Sequence, residues 1–598
     1  MNCMYANFRQ PQFISHRRRL EEQLSELHKC SDHRRLVQLH SQIFRLGLHR
    51  NPFVASKLIA AYSLCRRPYS AASVFGLVPE PKTNLFNTLI RAFAHNSLPT
   101  LSLLAFVRMQ RSSIPVDSFT YPFLLKSFSG ALRPVQLIHA HIVKLGFLSD
   151  IFVPNSLVDS YSKAGEAGLC AAMKLFEHMP VRDVVSWNSM IAALVRAGEL
   201  SDARRLFDEM PNRDIISWNC ILNGYTKAGE MVSAFEFFQK MPERNVVSWS
   251  TIVLGYCKKG DMEMAKMLFD KMPSKNLVTW TIMISAFAEK GLASQASNVM
   301  DRMEEARLEL DAGAVVAILT ACAESGLLGL GKRVHSAVKR NRMRLTIKIS
   351  NAMIDMYSKC GDLKEAWNIF MDIKDRDLVS WNSMILGLAM HGHGNKALEL
   401  FAKMEAEGIM PDRVTFMGVL CACTHKGLIK EARMYFANME KDYKIVPEIE
   451  HYGCLVDLLG RHGLLMEAYN LAKTMPLEPN AIIWGSLLNA CKLHNNVDIA
   501  EKVLNELMEL VPSDPGNFAI ICNIYASNRK WDDMAKARMK MKDAGEQKQA
   551  GSSWIELEDA VHQFTVGDRM HPQSDGILGM LNRLGQHVKQ LGQVAKAC

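Results

Sequence analysis

Fourteen cysteines and nineteen histidines are the residues of this 598-residue chain best suited to metal or redox chemistry. Metal sites need ligands at fixed, short intervals. No C-x-x-C occurs, and the closest pair, Cys421 and Cys423, brackets a single residue. No histidine is followed two residues later by glutamate. The H-x-E and P-C-x-x-C set with which zinc deaminases activate water is therefore missing. H-E-x-x-H, the Walker loop and the G-x-S-x-G elbow are missing too. The cysteines fall at irregular intervals, mostly inside apolar helical patterns, and read as buried thiols in a reducing compartment. No catalytic residue, metal or cofactor is expected.

Short hydrogen-bonding side chains do recur. One set is Asn87, Asn155, Asn188, Asn219, Ser250, Thr281, Asn351 and Asn382. A second set follows each by 26–30 residues: Asp117, Asp183, Asp214, Asn245, Asn276, Asp311, Asp377 and Asp412. Three residues before the first set stand apolar residues in six cases: Phe152, Val185, Ile216, Val247, Val278 and Val379. Asn84 and Lys348 depart from that rule. Helix capping and turn formation by Asn and Asp would explain the polarity. They would not explain the confinement to Asn, Ser and Thr at one position paired with Asp or Asn at another.

Tryptophan reveals the elements that carry these residues. Trp187, Trp218, Trp249 and Trp280 lie 31 residues apart, with Met-Pro in step at Met179, Met210, Met241 and Met272. Trp381 and Trp484 continue the series at three-unit intervals. A period near 31–36 residues means a helical solenoid. One unit, 184–214, reads VVSWNSMIAALVRAGELSDARRLFDEMPNRD. Ser186 is expected to cap a first helix whose apolar face is Trp187, Met190, Ile191 and Leu194. Ala197-Gly198 ends it. Ser201 is expected to cap a second helix with Ala203, Leu206, Phe207 and Met210 inward, and Pro211 stops it. Two such helices cannot bury both faces alone, so neighbours must stack. The tryptophans, and most of the 35 methionines, are thus core residues.

These units resemble pentatricopeptide repeats of the plant P-L-S class. P-like units start at Thr83, Leu277 and Leu378, and longer-helix L-like units at Ser118, Ala312 and Arg413. Short S-like units start near Pro52 and at Ile151, Val184, Ile215, Val246, Ile347 and Ile449. Three S-like units in succession, 184–276, break strict alternation. From Ala481 and Gly516 the chain resembles the two E-type segments, expected as tetratricopeptide-like helix pairs. From Gly551 it resembles the extension that carries S-W-I-E, V-H-x-F and G-D-x-x-H-P, although Ala550 and Ser552 replace the usual proline and cysteine. The longest family members continue into a deaminase domain ending in Asp-Tyr-Trp; this chain stops at Cys598 without it.

The resemblance implies an all-α, right-handed superhelical solenoid of helix-turn-helix repeats. Its domains would be a leader at 1–20, the repeat array at 21–480, E-type helix pairs at 481–550 and the extension at 551–598. One side chain per repeat recurs at a fixed step, and single-stranded RNA can present one unstacked base per step. In the family the apolar second residue of a unit sandwiches a base. The fifth and last residues, the two polar sets above, read its edge, where an amide offers both a donor and an acceptor.

The implied function is recognition of organellar RNA sites for C-to-U editing, without enzymatic activity in this chain. A deaminase-bearing pentatricopeptide repeat protein would act in trans, recruited by the tail after Ala481. Small organellar editing cofactors would bind the L-like units. Splicing, stability or translation of RNA is the alternative, favoured by relatives that lack the tail. A protein scaffold would not need the paired polar positions.

Composition agrees and adds a destination. Lys plus Arg is 71 against 61 Asp plus Glu, a net charge of +10 that weakly favours a polyanionic partner. No run of eighteen apolar residues is present, so no membrane span is expected. Residues 1–20 carry Arg9, Arg17, Arg18 and Arg19 and no acid, the pattern of an import leader. Ser15 is the only serine there, which favours mitochondria over chloroplasts.

Overall fold

The computed structural model describes residues 33–510, 515–543, 552–557, 560–565 and 571–594. The expected leader at 1–20 lies outside them. The chain divides into two compact units, 1–259 and 260–598. Inside each, helices follow one another in pairs. In the first unit, Val184–Ala197 packs on its own second helix, Leu200–Glu209, and on the next first helix, Ile215–Lys227. In the second, Leu378–Met390 does the same with Gly394–Ala406 and Arg413–Lys426. Each first helix is therefore the buried middle of its neighbourhood, as a stack of two-helix units requires.

First helices begin at Thr83, Val184, Ile215, Val246, Leu277, Ala312, Ile347, Leu378, Arg413, Ile449 and Ala481, where the repeats begin in sequence. Two start late, at Thr120 and Phe152. The first L-like unit does not have the longer helix expected of it. Its first helix is only Thr120–Ser127, because Gly130, at φ 94°, turns the chain early.

The capping residues differ from the sequence expectation. Asp183, not Ser186, is the N-cap of Val184–Ala197. Asp183 Oδ1 accepts from the Ser186 amide at 2.8 Å, and Ser186 Oγ in turn accepts from the Asp183 amide at 3.2 Å. This reciprocal box puts Ser186 one turn inside the helix. Ser201 caps nothing either: its helix starts at Leu200, with Glu199 in the cap position and no side-chain bond. Gly198 ends the first helix as expected, at φ 90°.

Trp187, Trp280, Trp381 and Trp484 are buried, whereas Trp218 and Trp249 are half-buried. Phe176, eleven residues before Trp187, meets it edge to face at 5.0 Å, and Phe207, Phe238, Phe269 and Phe370 meet the next tryptophans alike. Such pairs add roughly 0.5–1.5 kcal/mol beyond their buried area. Over each phenylalanine in four of these units lies a guanidinium the sequence reading had passed over. Arg182 sits 4.8 Å from Phe176 and donates to the carbonyls of Phe176 and Glu177, closing the end of the second helix. Arg213, Arg244 and Arg376 repeat this arrangement.

Residues 481–543 form the helices Ala481–Leu493 and Val497–Leu510, then Pro515–Ser527 and Trp531–Asp543, among the described residues. The extension adds a two-stranded antiparallel hairpin, Ser552–Leu557 with Ala560–Thr565, followed by the helix Ser574–Val594. Among the described residues no helix is long and apolar enough to cross a membrane.

Candidate nucleic-acid interface

The first turn of each first helix carries the three positions singled out in sequence. Helix geometry places residues two and five of a unit on one side, three apart. Phe152, Val185, Ile216, Val247, Val278 and Val379 are all 54–63% exposed. Apolar side chains so open recur at one register of the first helices in each compact unit, where the core does not use them. Asn84 and Lys348 occupy the same register and are also exposed.

The fifth residues lie deeper. Asn87, Asn188, Asn351 and Asn382 are buried; Asn155, Asn219, Ser250 and Thr281 are partly so. The two polar sets meet in space. Asn87 Nδ2 donates to Asp117 Oδ1 at 2.8 Å, Asn188 to Asp214 at 3.0 Å, Asn351 to Asp377 at 3.0 Å and Asn382 to Asp412 at 2.9 Å. Asn155 reaches Asp183, and Asn219 reaches Asn245 Oδ1, both at 3.3 Å. The hydroxyls behave otherwise. Ser250 Oγ donates to Val246 O at 2.7 Å and Thr281 Oγ1 to Leu277 O at 2.8 Å, each within its own helix.

Helix capping is thus real, and it coexists with the pairing. Asp183, Asp214, Asp311, Asp377, Asp412 and Asn276 all cap the helix that follows them. Burial pushes the carboxyls of Asp183, Asp214 and Asp377 upward. Hydrogen bonds from the following serine and from the paired asparagine outweigh it and hold all three below the usual aspartate value. They are charged, acceptor-only groups at neutral pH. Each clamps an amide in one orientation and leaves the second Nδ2 hydrogen of that amide available.

A third position, missed in sequence, completes the clamp. Thr120, Ser248, Ser380 and Thr415 are buried, and each hydroxyl lies 2.6–3.0 Å from both the fifth-residue Oδ1 and the last-residue Oδ1. Ser186 and Ser217 donate to the carboxylate and not to the asparagine, and the Oδ1 atoms of Asn155 and Asn188 stay buried without a partner. The signal was legible: a Ser or Thr stands three residues after the last residue of a unit almost throughout. Cations were also passed over. Lys126, Arg196, Lys227, Lys258, Lys426 and Lys492 stand in the last turns of first helices, where the helix dipole favours them. At Lys163, Lys359 and Arg461 an aspartate four residues earlier pairs the charge.

The described cysteines form no disulfide; five are buried and Cys170 is exposed. Burial pushes the thiols of Cys423, Cys454 and Cys491 up to about 12, which leaves them protonated and unreactive. Among the described residues no three His, Cys, Asp or Glu side chains converge on a metal site.

Helix pairs that repeat an exposed apolar side chain beside a hydrogen-bonded amide define a helical-repeat protein. Comparison with known proteins gives the family. The PPR repeat family model matches residues 182–216, 213–246, 244–278 and 376–425, and the PPR repeat model matches 85–114, 278–308, 349–378 and 414–443. The E motif model matches 494–556, beginning after the helix Ala481–Leu493 and running into the first strand. Pentatricopeptide repeat-containing protein At3g29230 of Arabidopsis thaliana is 59% identical, over 96% of this chain and 97% of the relative. At5g66520 of the same plant is 38% identical over 96% and 83%, and At1g08070, named as chloroplastic, is 35% identical over the same shares. The chain belongs to the pentatricopeptide repeat proteins and carries an E motif near its C-terminus. Among solved structures it is similar to PPR10 in complex with an 18-nucleotide psaJ RNA element, at 16% identity, 88% and 93% coverage and a TM-score of 0.46.

Proposed function

We propose that this protein binds single-stranded RNA base by base and marks organellar sites for C-to-U editing, with the deaminase supplied by a partner in trans. The observation that carries the reading is the repeated Asn–Asp clamp beside an exposed apolar residue. A scaffold that binds protein has no use for an amide held in one orientation at the same register of successive helices. Val185 and Ile216 and their equivalents would sandwich bases, and the fifth and last residues would read their edges. Cations at the ends of first helices would meet phosphates and add a salt-dependent, sequence-independent term. The E motif favours editing over splicing, stability or translation, since relatives serving those roles lack the tail.

The domain reading that accompanies this proposal is a leader at 1–20, an array at 21–480, E-type pairs at 481–550 and an extension at 551–598. The leader directs import into mitochondria, with chloroplasts the alternative. The tail engages a deaminase-bearing pentatricopeptide repeat protein, and small editing cofactors bind the L-like units.

With the N-terminus toward the RNA 5′ end, Asn–Asp reads U, Asn–Asn a pyrimidine, Ser–Asn A and Thr–Asp G. The target is then 5′-U-n-U-U-Y-A-G-n-U-U-n-n-n-n-n-C, with the final C edited. Immunoprecipitation of the protein with organellar RNA, followed by sequencing, tests this. Recovered transcripts should carry the motif upstream of an edited cytidine; recovery without sequence preference overturns the reading. Truncation after Asn480 should preserve binding and abolish editing in the plant.

A further inference from the structure

The last unit of the array, residues 449–480, is built unlike those before it. Its fifth residue is Gly453, so no amide reaches back to its last residue, Asn480. Asn480 still caps the following helix, its Oδ1 accepting from the Ile483 amide at 3.1 Å. Its Nδ2 finds no hydrogen-bond partner among the described residues. Where six of the other units hold an asparagine amide, this one has a cavity of about 410 Å³, bordered by Gly453, Asn480, Ile483, Cys421 and Cys454. That volume lies in the range of small-molecule pockets, roughly 300–1,000 Å³. Its mouth is flanked by the second residues of this unit and the next, Glu450 and Ile482, and Ile482 is 79% exposed.

Packing does not demand the glycine. A glycine inside a helix costs roughly 0.5–1 kcal/mol relative to alanine. At several other helix-interior glycines that cost has a visible reason, although Gly485, at the same register of the next first helix, is as open as Gly453. A Cβ at Gly255 would strike Met231 Cε at 2.8 Å, one at Gly387 would strike Ser358 Oγ at 2.5 Å, and one at Gly460 would strike Ala490 Cβ at 2.8 Å. At Gly453 the nearest atom is Ile483 Cγ1 at 3.8 Å, and the backbone is helical. Gly453 therefore keeps volume empty that any other side chain would occupy. Burial keeps the Cys421 and Cys454 thiols in the cavity wall protonated. The lining is mostly apolar, but besides the Asn480 amide it includes Thr424, His425, Asp457, Arg461 and Ser486.

We infer that this cavity admits a purine, the nucleobase lying between Glu450 and Ile482, four nucleotides before the edited cytidine. The inference rests on the base-reading function proposed above. A base entering here descends into the space that an asparagine side chain fills in other units. Two fused rings span that extra depth to the mostly apolar lining, whereas a single ring leaves a void and loses its contacts. The Asn480 Nδ2 donates to a ring nitrogen or carbonyl of the inserted edge.

Equilibrium gel shifts with the full chain test it, using four copies of the proposed target that differ only at that nucleotide, at one salt concentration. A and G should bind on the order of tenfold tighter than C and U, the scale on which a small volume difference is discriminated in an apolar pocket. Gly453→Asn should fill the cavity and abolish the purine advantage. Gly453→Ala checks folding, since its methyl meets no atom closer than 3.8 Å and the thermal midpoint should hold or rise. Equal binding of all four RNAs, or a pyrimidine preference, overturns the inference. If the A-G step facing Ser250 and Thr281 still matters in that case, base reading itself stands. If that step is also silent, base reading falls and the inference with it.

Discussion

Asn188 and Thr281 occupy the same register of their repeats and do different things. Asn188 reaches out of its helix to the carboxylate of Asp214, 26 residues on, at 3.0 Å. Thr281 turns inward to Leu277 O, four residues back in its own helix, at 2.8 Å. Asp214 consequently serves two ends. It caps its helix through the Ser217 amide and hydroxyl and also orients an amide. Asp311, followed by Ala314 where other units have Ser or Thr, caps through the Ala314 amide at 2.7 Å. The Asn unit couples two positions into one rigid group; the Thr unit leaves a compact hydroxyl and a separate cap. Two hydrogen-bonding arrangements thus share one scaffold, and the choice is made by whether a side chain is long enough to leave its helix.

The largest effect should come from exchanging the bases these chemistries face. Swapping the A-G step of the target to G-A should cost roughly 1–3 kcal/mol per base, by analogy with readout of DNA base edges. The combined change Ser250→Thr, Asn276→Asp, Thr281→Ser and Asp311→Asn should restore binding to the swapped RNA. Equal affinity for both RNAs would mean that the hydroxyl positions only serve the helices.

Next in size is the stability cost of losing a cap that is also a clamp. Asp214→Ala should lower stability by about 1–2 kcal/mol, the upper part of the range for a lost cap, because Asn188 is stranded as well. Asp311→Ala should cost about 0.5–1 kcal/mol. Urea midpoints followed by circular dichroism measure both, and an equal loss would erase the distinction between the two kinds of unit.

A smaller change isolates the clamp. Asp214→Asn keeps an acceptor for the cap, so stability should shift by only a few tenths of a kcal/mol. Under the proposed pairing it turns an Asn–Asp pair into an Asn–Asn pair, so the preference for U over C at that nucleotide should shrink in a binding assay. An unchanged preference would show that charge on the last residue plays no part in reading.

The smallest effect is on pH dependence. Asp183, Asp214 and Asp377 are held below their unfolded values, so the folded state binds fewer protons near pH 4 than the unfolded chain. Their contribution is present above the ordinary aspartate value near 4 and is lost as pH falls through the lowered folded values. The triple variant Asp183→Asn, Asp214→Asn, Asp377→Asn should therefore lose less stability than the native protein between about pH 4 and pH 2. Parallel acid-unfolding curves would show that the clamped carboxylates carry no linkage.

Local rules made much of this molecule legible in its residues. The Trp period and the Met-Pro and Ala-Gly punctuation mark helix starts, most of them to the residue, because caps, breakers and amphipathic faces act within one turn. The two polar sets and the apolar stripe were legible for the same reason, since they recur at one register. Ser186 shows where such reading stops. Its type suits a cap, but Asp183 lies three residues ahead and takes the role, and a one-dimensional pattern ranks the two no better than their propensities do.

What only the tertiary structure decided is which atoms meet across helices. Asn188 and Asp214 are separated by 26 residues, and their bond depends on the distance between two stacked first helices. The Arg182 guanidinium over Phe176 and the helix end beneath it depend on how the chain leaves its second helix. Gly453 reads as one more helix-interior glycine beside Gly255 and Gly387; only the space around it separates a glycine beside a cavity from one at a close-packed crossing. Hydrogen bonds and cavities are set by separations of a fraction of an ångström between segments distant in the chain. Residue type and spacing determine the helices, and the packing of one helix on the next determines those separations.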